Sequence, residues 1–155
     1  MRRKTPKRKT IPDPKFQSVT IAKLINYIMQ RGKKSVAERI VYNCFNLIKE
    51  KTKQDGAEIF DRAIKNVGPE IEVRSRRVGG ANYQIPTPVH ADRRLSLALR
   101  WIIAAAKSRK GMPMEEKLTL ELIDASNKTG AAFKKREDTY RMAEANRAFA
   151  HFARF

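Results

Sequence analysis

Three arginines, two glycines and a tyrosine crowd the stretch from Val73 to Pro86, and they are the residues best placed to do chemistry. Ile71 and Val73 alternate with Glu72 and Arg74, the period of a strand with two unlike faces. Gly79-Gly80 supplies the positive φ angles of a two-residue hairpin turn. Arg74, Arg76 and Arg77 lie on the approach to that turn, and Tyr83 lies just past it. A lone two-stranded ribbon is marginal in water. One carrying this much positive charge suits an arm laid against a polyanion. The bland alternative is an exposed hairpin with a solvated face, and the remainder of the chain argues against it.

Catalytic chemistry finds little support. The two histidines, His90 and His151, are far apart and suit packing or surface roles. No Cys/His spacing resembles a zinc site. Gly32-Lys33-Lys34-Ser35 has a faint likeness to a phosphate loop, but that motif needs a glycine where Tyr27 stands and a strand where a helix is expected. Glu115-Glu116 and Glu137-Asp138 are adjacent pairs on expected helices, so their carboxylates diverge. The first pair suits the positive end of a helix better than acid–base work. The expectation is no enzyme, no metal and no cofactor.

Charge is the stronger signal. In 155 residues, 34 Lys and Arg face 16 Asp and Glu, a net charge of +18. Such an excess opposes compaction unless a polyanion neutralises it, nucleic acid first and an acidic membrane surface second. Hydrophobic residues make up 41%, enough for a folded core to carry the charge. The one cysteine, Cys44, allows no intrachain disulfide and suits a core position in a reducing compartment. No apolar run reaches the roughly 18 residues of a spanning helix. The basic N-terminus lacks the apolar segment of a secretory signal.

These groups need elements to hold them. Residues 1–17 read as a basic N-terminal extension with Arg2, Arg3, Lys4, Lys7, Arg8, Lys9 and Lys15 against one acid, Asp13. Three prolines exclude a regular helix, so the segment is expected to order only on a partner. Residues 18–155 read as a single helical domain. Ser18 caps a helix with Ile21, Leu24, Ile25, Ile28 and Met29 on one stripe. Ser35 with Glu38 reads as a capping box for the second helix, with Ala37, Ile40, Cys44, Leu47 and Ile48 inward. Asp55 with Glu58 starts the third, which Gly68-Pro69 stops. The hairpin follows at about 71–88, and Pro86 and Pro88 are expected to limit pairing of its second strand. Asp92 caps a long fourth helix to about Lys110. A fifth runs from about Met114 to Lys128, and a sixth from near Ala131 almost to the C-terminus. The fold class is therefore mainly α: six helices, a protruding β-hairpin arm and an extended basic tail. The core is expected from the first five helices, with the stretch around Lys134 to Asp138 exposed or facing a partner.

Further basic groups recur along this framework: Lys33 and Lys34 at a helix–helix turn, Arg93 and Arg94, then Lys107, Arg109 and Lys110, and finally Lys134, Lys135 and Arg136. The last three sit near a helix N-terminus, where the dipole opposes them, so another anion should compensate. Scattered clusters with a tail and an arm suit recognition of folded RNA by shape and phosphate contacts. Sequence-specific DNA binding usually gathers its readers on one helix, and none stands out. A DNA-bending arm would need an apolar wedge, but the tip is Gly79-Gly80 beside Ala81 and Asn82. An RNA-modifying enzyme lacks catalytic groups. If the tail alone met about six phosphates, log affinity would fall with log salt at a slope near −4.

Several segments also carry a family likeness: Asp13-Pro14-Lys15-Phe16; Gly32-Lys33-Lys34-Ser35 with Ala37-Glu38 and Ile40-Val41-Tyr42; positions 75–80 with Tyr83-Gln84; Arg93-Arg94 with Arg100-Trp101; and Lys134-Lys135-Arg136-Glu137-Asp138 with Arg141-Met142-Ala143-Glu144-Ala145-Asn146. In these, from end to end and in order, the chain resembles the protein-seven family of the small ribosomal subunit, in its bacterial or organellar form. The resemblance implies direct binding to the 3′ major domain of small-subunit ribosomal RNA and organisation of the subunit head. It places the hairpin near exit-site transfer RNA and messenger, with Arg76, Arg77, Gly79, Gly80 and Tyr83 on that side. It gives the ribosomal RNA to Lys15, Lys33, Lys34, Arg74, Arg93, Arg94, Lys134, Lys135 and Arg136. On charge alone the tail cations and Lys107, Arg109 and Lys110 are expected to join them, with a solvated face the alternative for the last three. Neighbouring head and platform proteins are further implied partners, with no membrane. Lacking a targeting extension, the chain is expected in bacterial cytosol rather than an organelle. Two departures stand out. Thr87-Pro88 replaces a more usual non-proline pair, and the chain stops at Ala153-Arg154-Phe155. Phe149, Phe152 and Phe155 recur every three residues, leaving two placements open: back on the core, or against a neighbouring protein.

Overall fold

The computed structural model describes residues 10–154. Six α-helices and one antiparallel hairpin follow in order: α1 Val19–Ile28, α2 Lys34–Thr52, α3 Gly56–Val67, β1 Ile71–Val78, β2 Ala81–Pro88, α4 Ala91–Ser108, α5 Met114–Ser126 and α6 Gly130–Ala145. A 3₁₀ segment, Arg147–Arg154, ends the described chain. The mainly helical class with a hairpin arm is the one the hydrophobic periodicity predicts. The expectations for Arg2, Arg3, Lys4, Lys7, Arg8, Lys9 and Phe155 lie outside the described residues.

Local signals set most boundaries, and misplace a few. Ser18 caps α1, accepting from the Ile21 N–H, and Asp55 caps α3, accepting from the Ala57 N–H. The Ser35–Glu38 capping box does not form. Arg31 and Gly32 both take positive φ, so the chain turns early and α2 starts at Lys34, leaving Ser35 within the first turn. Glu38 pairs instead with Lys34 at 3.6 Å. Asp92 is likewise not the cap of α4. His90 holds that place, and Asp92 sits in the first turn, where a carboxylate still favours the dipole. The final helix divides, with α6 ending at Ala145 before the 3₁₀ turns.

The core joins Leu24 and Ile25 of α1, Val41, Phe45 and Ile48 of α2, Ile59 and Phe60 of α3, Leu99 and Ile102 of α4, and Leu118 and Leu122 of α5. From α6 it takes only Ala132. Large apolar side chains thus come from the first five helices. Phe45 escapes the stripe read from the sequence because α2 is turned toward α3 and α5, which buries the Ala37, Val41, Cys44, Phe45 and Ile48 face and leaves Ile40 and Leu47 half-buried. Burial pushes the Cys44 thiol up to about 12, aided by the Glu115 charge and opposed by a Thr119 hydrogen bond, so it stays a neutral core group.

Asp13 anchors the approach to α1. Almost fully buried, it accepts from the Tyr42 hydroxyl at 2.7 Å and from the Lys15 and Phe16 N–H groups at 3.1 Å. Burial and this carboxylate push the Tyr42 hydroxyl up to about 12. Phe16 then packs edge-on against Phe45.

The hairpin pairs without a break from Val78↔Ala81 to Ile71↔Pro88. Its prolines do not limit the pairing. In a two-residue hairpin the pair beside the turn exchanges both ladder bonds and pairs alternate from there. Val73↔Pro86 and Ile71↔Pro88 fall on non-bonded pairs, so the missing N–H groups remove no ladder bond. Gly79 and Gly80, at φ +57 and +91, make the tight turn with no side chain to strain. The base is held by buried Ile85 and by Tyr140 of α6, whose hydroxyl accepts from the Glu70 N–H at 3.0 Å.

Candidate nucleic-acid interface

The predicted cations divide into two kinds. One kind holds the fold. Glu72, 7% exposed at the hairpin base, takes Arg74 on one carboxylate oxygen and Arg93 of α4 on the other at 3.2 Å. Burial alone would raise its pKa, but the hydrogen bonds and charges of the two arginines outweigh that and hold it below the usual carboxylate range. Arg94 donates to the Gly68 carbonyl at 3.1 Å and pairs with Glu70 at 3.4 Å. Arg136 donates to the Asn66 carbonyl at 2.7 Å and lies against the rings of Phe133 and Tyr140. Arg109 is engaged most deeply. Its guanidinium bonds the fully buried Glu121 at 2.7 Å and Asp124 at 2.5 Å, and their charges raise its pKa against the effect of burial. The structure thus gives Arg109 an internal role, because its donors face two carboxylates inside the α4–α5 junction.

A pH dependence follows from Glu72. A carboxyl whose folded pKa is depressed adds stability above its unfolded value near ~4.3, and that stability is lost as pH falls through the folded value. Glu72→Gln is expected to be less stable than the parent at neutral pH, with the difference vanishing as acid protonates Glu72 in the folded state. Denaturant titrations of both proteins across a pH series check this; a gap that persists in acid would show that the ion pairs are not its source.

The second kind presents its charge to solvent. Lys33, Lys34, Lys107, Lys110, Lys134 and Lys135 are exposed, as are Arg76 and Arg77 on the arm. Lys15 is exposed too, its ammonium 4.9 Å above the Tyr42 ring. Among the described residues Lys33, Arg77, Lys107, Lys110, Lys134 and Lys135 make no ion pair. Lys134 and Lys135 occupy the second turn of α6, whose first turn carries no acid. Tertiary structure places Lys107 of α4, Lys33 and Arg31 on the lining of one groove. Arg31 was legible only as part of a helix-breaking run; nothing in its spacing marks it as a binding residue.

Tyr83 is not a free stacking platform. The 3₁₀ segment folds back along β2, placing Phe149 and Phe152 with ring centroids 5.0 and 5.4 Å from Tyr83. Arg76 donates to the Phe152 carbonyl at 3.3 Å. The two phenylalanines therefore pack on the arm, a placement neither sequence alternative named. Their partner is remote in sequence, so periodicity carried no signal of it. Tyr83→Ala is expected to speed amide exchange at Phe149 and Phe152 several-fold while changing global stability by less than about 1 kcal/mol. Unchanged protection in hydrogen-exchange mass spectrometry would mean that the segment is held by other contacts.

Among the described residues no group of His, Cys, Asp and Glu could hold a metal ion, and no helix is long and apolar enough to cross a membrane. The model of the ribosomal protein S7p/S5e family matches residues 1–147. The chain is 59% identical over 151 residues, 97% of each chain, to small ribosomal subunit protein uS7 of Thermotoga maritima. It is 60% identical over the same span to that protein of Metamycoplasma arthritidis, and 58% identical over 144 residues, 93% of this chain and 92% of the other, to that of Roseiflexus castenholzii.

Proposed function

The chain belongs to the ribosomal protein S7p/S5e family, whose members are structural, non-enzymatic components of the ribosome, and from that premise we propose how it works there. It binds the 3′ major domain of small-subunit ribosomal RNA directly and helps to organise the head of the subunit. It works within the ribosome in the cytoplasm, of a bacterium by preference, since the relatives named above are bacterial. Neighbouring head and platform proteins complete its surroundings.

One observation carries the RNA reading. Exposed cations, all but Lys34 without an ion pair among the described residues, lie on several elements around a helical body, while a second set of arginines fixes that body's joints. A folded RNA presents phosphates at many fixed positions, and a rigid array of separated charges can match one such shape. Lys15, Lys33, Lys34, Lys107, Lys110, Lys134 and Lys135 are the proposed phosphate contacts. The basic residues at positions 2–9 join them, and Arg74, Arg93, Arg94 and Arg136 serve mainly by holding the arm and α6 in place. The arm, with Arg76, Arg77, Gly79 and Gly80 at its end, is proposed to lie near exit-site transfer RNA and messenger. There Tyr83 acts through the C-terminal segment it holds. The tip residues Gly79, Gly80, Ala81 and Asn82 carry no bulky apolar side chain to wedge between DNA bases.

The test is a binding titration across a salt series against three ligands of equal charge: the 3′ major-domain RNA, a scrambled folded RNA and a DNA duplex. A preference for the ribosomal RNA that survives moderate salt is expected. Equal binding to all three that collapses with salt would reduce the interaction to counterion release and end the reading.

A further inference from the structure

Residues 13–18 close a small loop ahead of α1. The Asp13 N–H donates to the Ser18 carbonyl at 3.2 Å, and the Gln17 N–H donates to the Asp13 carbonyl at 2.7 Å. Ser18 also begins α1, its carbonyl accepting from the Ala22 N–H at 3.2 Å, so the loop is fastened to that helix. Within the loop, one oxygen of the buried Asp13 carboxylate takes the Lys15 and Phe16 N–H groups, and the other takes the Tyr42 hydroxyl of α2. Gln17 is held at φ +49, a left-handed conformation that a residue with a side chain seldom adopts unless its surroundings impose it. The result is one exposed cation seated over two rings. The Lys15 ammonium stands 4.9 Å from the Tyr42 centroid and 5.6 Å from that of Phe16, and Phe16 is itself fixed edge-on against Phe45. Among the described residues no other lysine lies over an aromatic ring.

From this arrangement we infer that Asp13 and Tyr42 are positioning residues, which hold the 13–18 loop so that Lys15 meets a phosphate of the bound RNA from one fixed place. The inference rests on the RNA-binding reading above and deepens it. On charge alone a carboxylate two residues from a phosphate contact works against binding, because like charges repel. Asp13 therefore helps only through geometry. A lysine on a free loop loses backbone and rotamer freedom when it meets its anion. Lys15 has given up much of that freedom on folding: its N–H is bonded, Pro14 before it has a fixed φ, and its ammonium rests against two rings. Ring faces attract a cation without cancelling its charge, and the exposed ammonium keeps donors for an anion. A carboxylate partner in their place would neutralise it.

Titrations of the full-length protein with the 3′ major-domain transcript across a salt series separate charge from geometry. Asp13→Ala removes a negative charge, so electrostatics alone predicts tighter binding. Loss of positioning predicts the reverse: binding roughly three- to tenfold weaker with an unchanged salt slope, because Lys15 still reaches its phosphate but must first be ordered. Asp13→Asn keeps an acceptor for the Lys15 and Phe16 N–H groups and should bind at least as tightly as the parent. Lys15→Ala should lower the slope by about one phosphate contact, and in that background Asp13→Ala should change affinity by less than about twofold. A loss that persists in the Lys15→Ala background would give Asp13 a general structural role and overturn the inference, as would an Asp13→Ala affinity equal to or above that of the parent. Either result leaves the RNA-binding reading standing where the parent prefers this RNA to a scrambled folded one; without that preference both fall. Should Asp13→Ala not fold, proton NMR of the free parent decides: the Lys15 ε-methylene signal should be displaced upfield by the Tyr42 ring, and a signal lying among those of the other lysines would overturn the seating.

Discussion

Glu121→Ala is expected to lower the melting temperature by roughly 6–12 °C, the largest effect of any single change on stability, as read by calorimetry. Glu121 is fully buried and serves three elements at once. One oxygen accepts from the Ala132 N–H at 2.9 Å, within the first turn of α6. The other takes Arg109, which follows α4, at 2.7 Å. Removing the carboxylate leaves a buried N–H without an acceptor and a guanidinium with half its partners. Breaking a buried pair costs about 3–5 kcal/mol, and the lower end applies because Arg109 is partly solvated and keeps Asp124. Little room exists for repair. Gly130, at φ +88, brings α6 so close that a Cβ there would stand 2.9 Å from the Asp124 Cβ. Glu121→Gln should fall between parent and alanine variant, since its amide oxygen can still accept from Ala132. A loss below about 1 kcal/mol in the alanine variant would mean that Asp124 alone holds the junction.

Replacing Lys33, Lys34, Lys134 and Lys135 together by alanine is expected to have the largest effect on function. If each lysine meets one phosphate, the slope of log affinity against log salt should lessen by about 3. Affinity for the 3′ major-domain RNA at moderate salt should fall by two to three orders of magnitude on the same estimate. Melting should barely change, because all four side chains are exposed and only Lys34 makes an ion pair, a surface i,i+4 contact worth about 0.3–0.5 kcal/mol. Arg109→Ala should behave in the opposite way, losing stability while keeping the slope. An unchanged slope in the quadruple variant would show that the exposed lysines are a solvated surface and that the RNA contacts lie elsewhere.

Fold and site were not equally open to reading from the sequence. Amphipathic spacing located the first five helices within a few residues and overran the sixth, which stops at Ala145, because burying a 3.6-residue stripe is what stabilises a helix in a domain. Its weakest points were boundaries set by backbone geometry. Arg31 and Gly32 turn the chain before Ser35 can act as a cap, and nothing in the residue types dictates that. Among cations, spacing could not separate Arg109 from Lys110, adjacent in sequence. One faces two carboxylates inside a helix junction, and the other faces water.

The anchoring acids were the least visible of all. Asp13, Glu72 and Glu121 look like ordinary surface carboxylates in a strongly basic chain, yet each is nearly or fully buried and gathers donors from other segments. A buried carboxylate needs partners, and those partners lie 29, 21 and 12 positions away for Tyr42, Arg93 and Arg109. By itself the sequence determined the helical class, the Gly-Gly hairpin and the excess of positive charge, because each follows from local composition and order, and its motifs carried the resemblance to the family. Only the tertiary structure decided which charges hold the molecule together and which face outward, that Tyr83 is covered by Phe149 and Phe152, and that Arg31, Lys33 and Lys107 share one groove. Those outcomes depend on distances between residues far apart in the chain, which are set only when the core packs and every buried charge has found its partner.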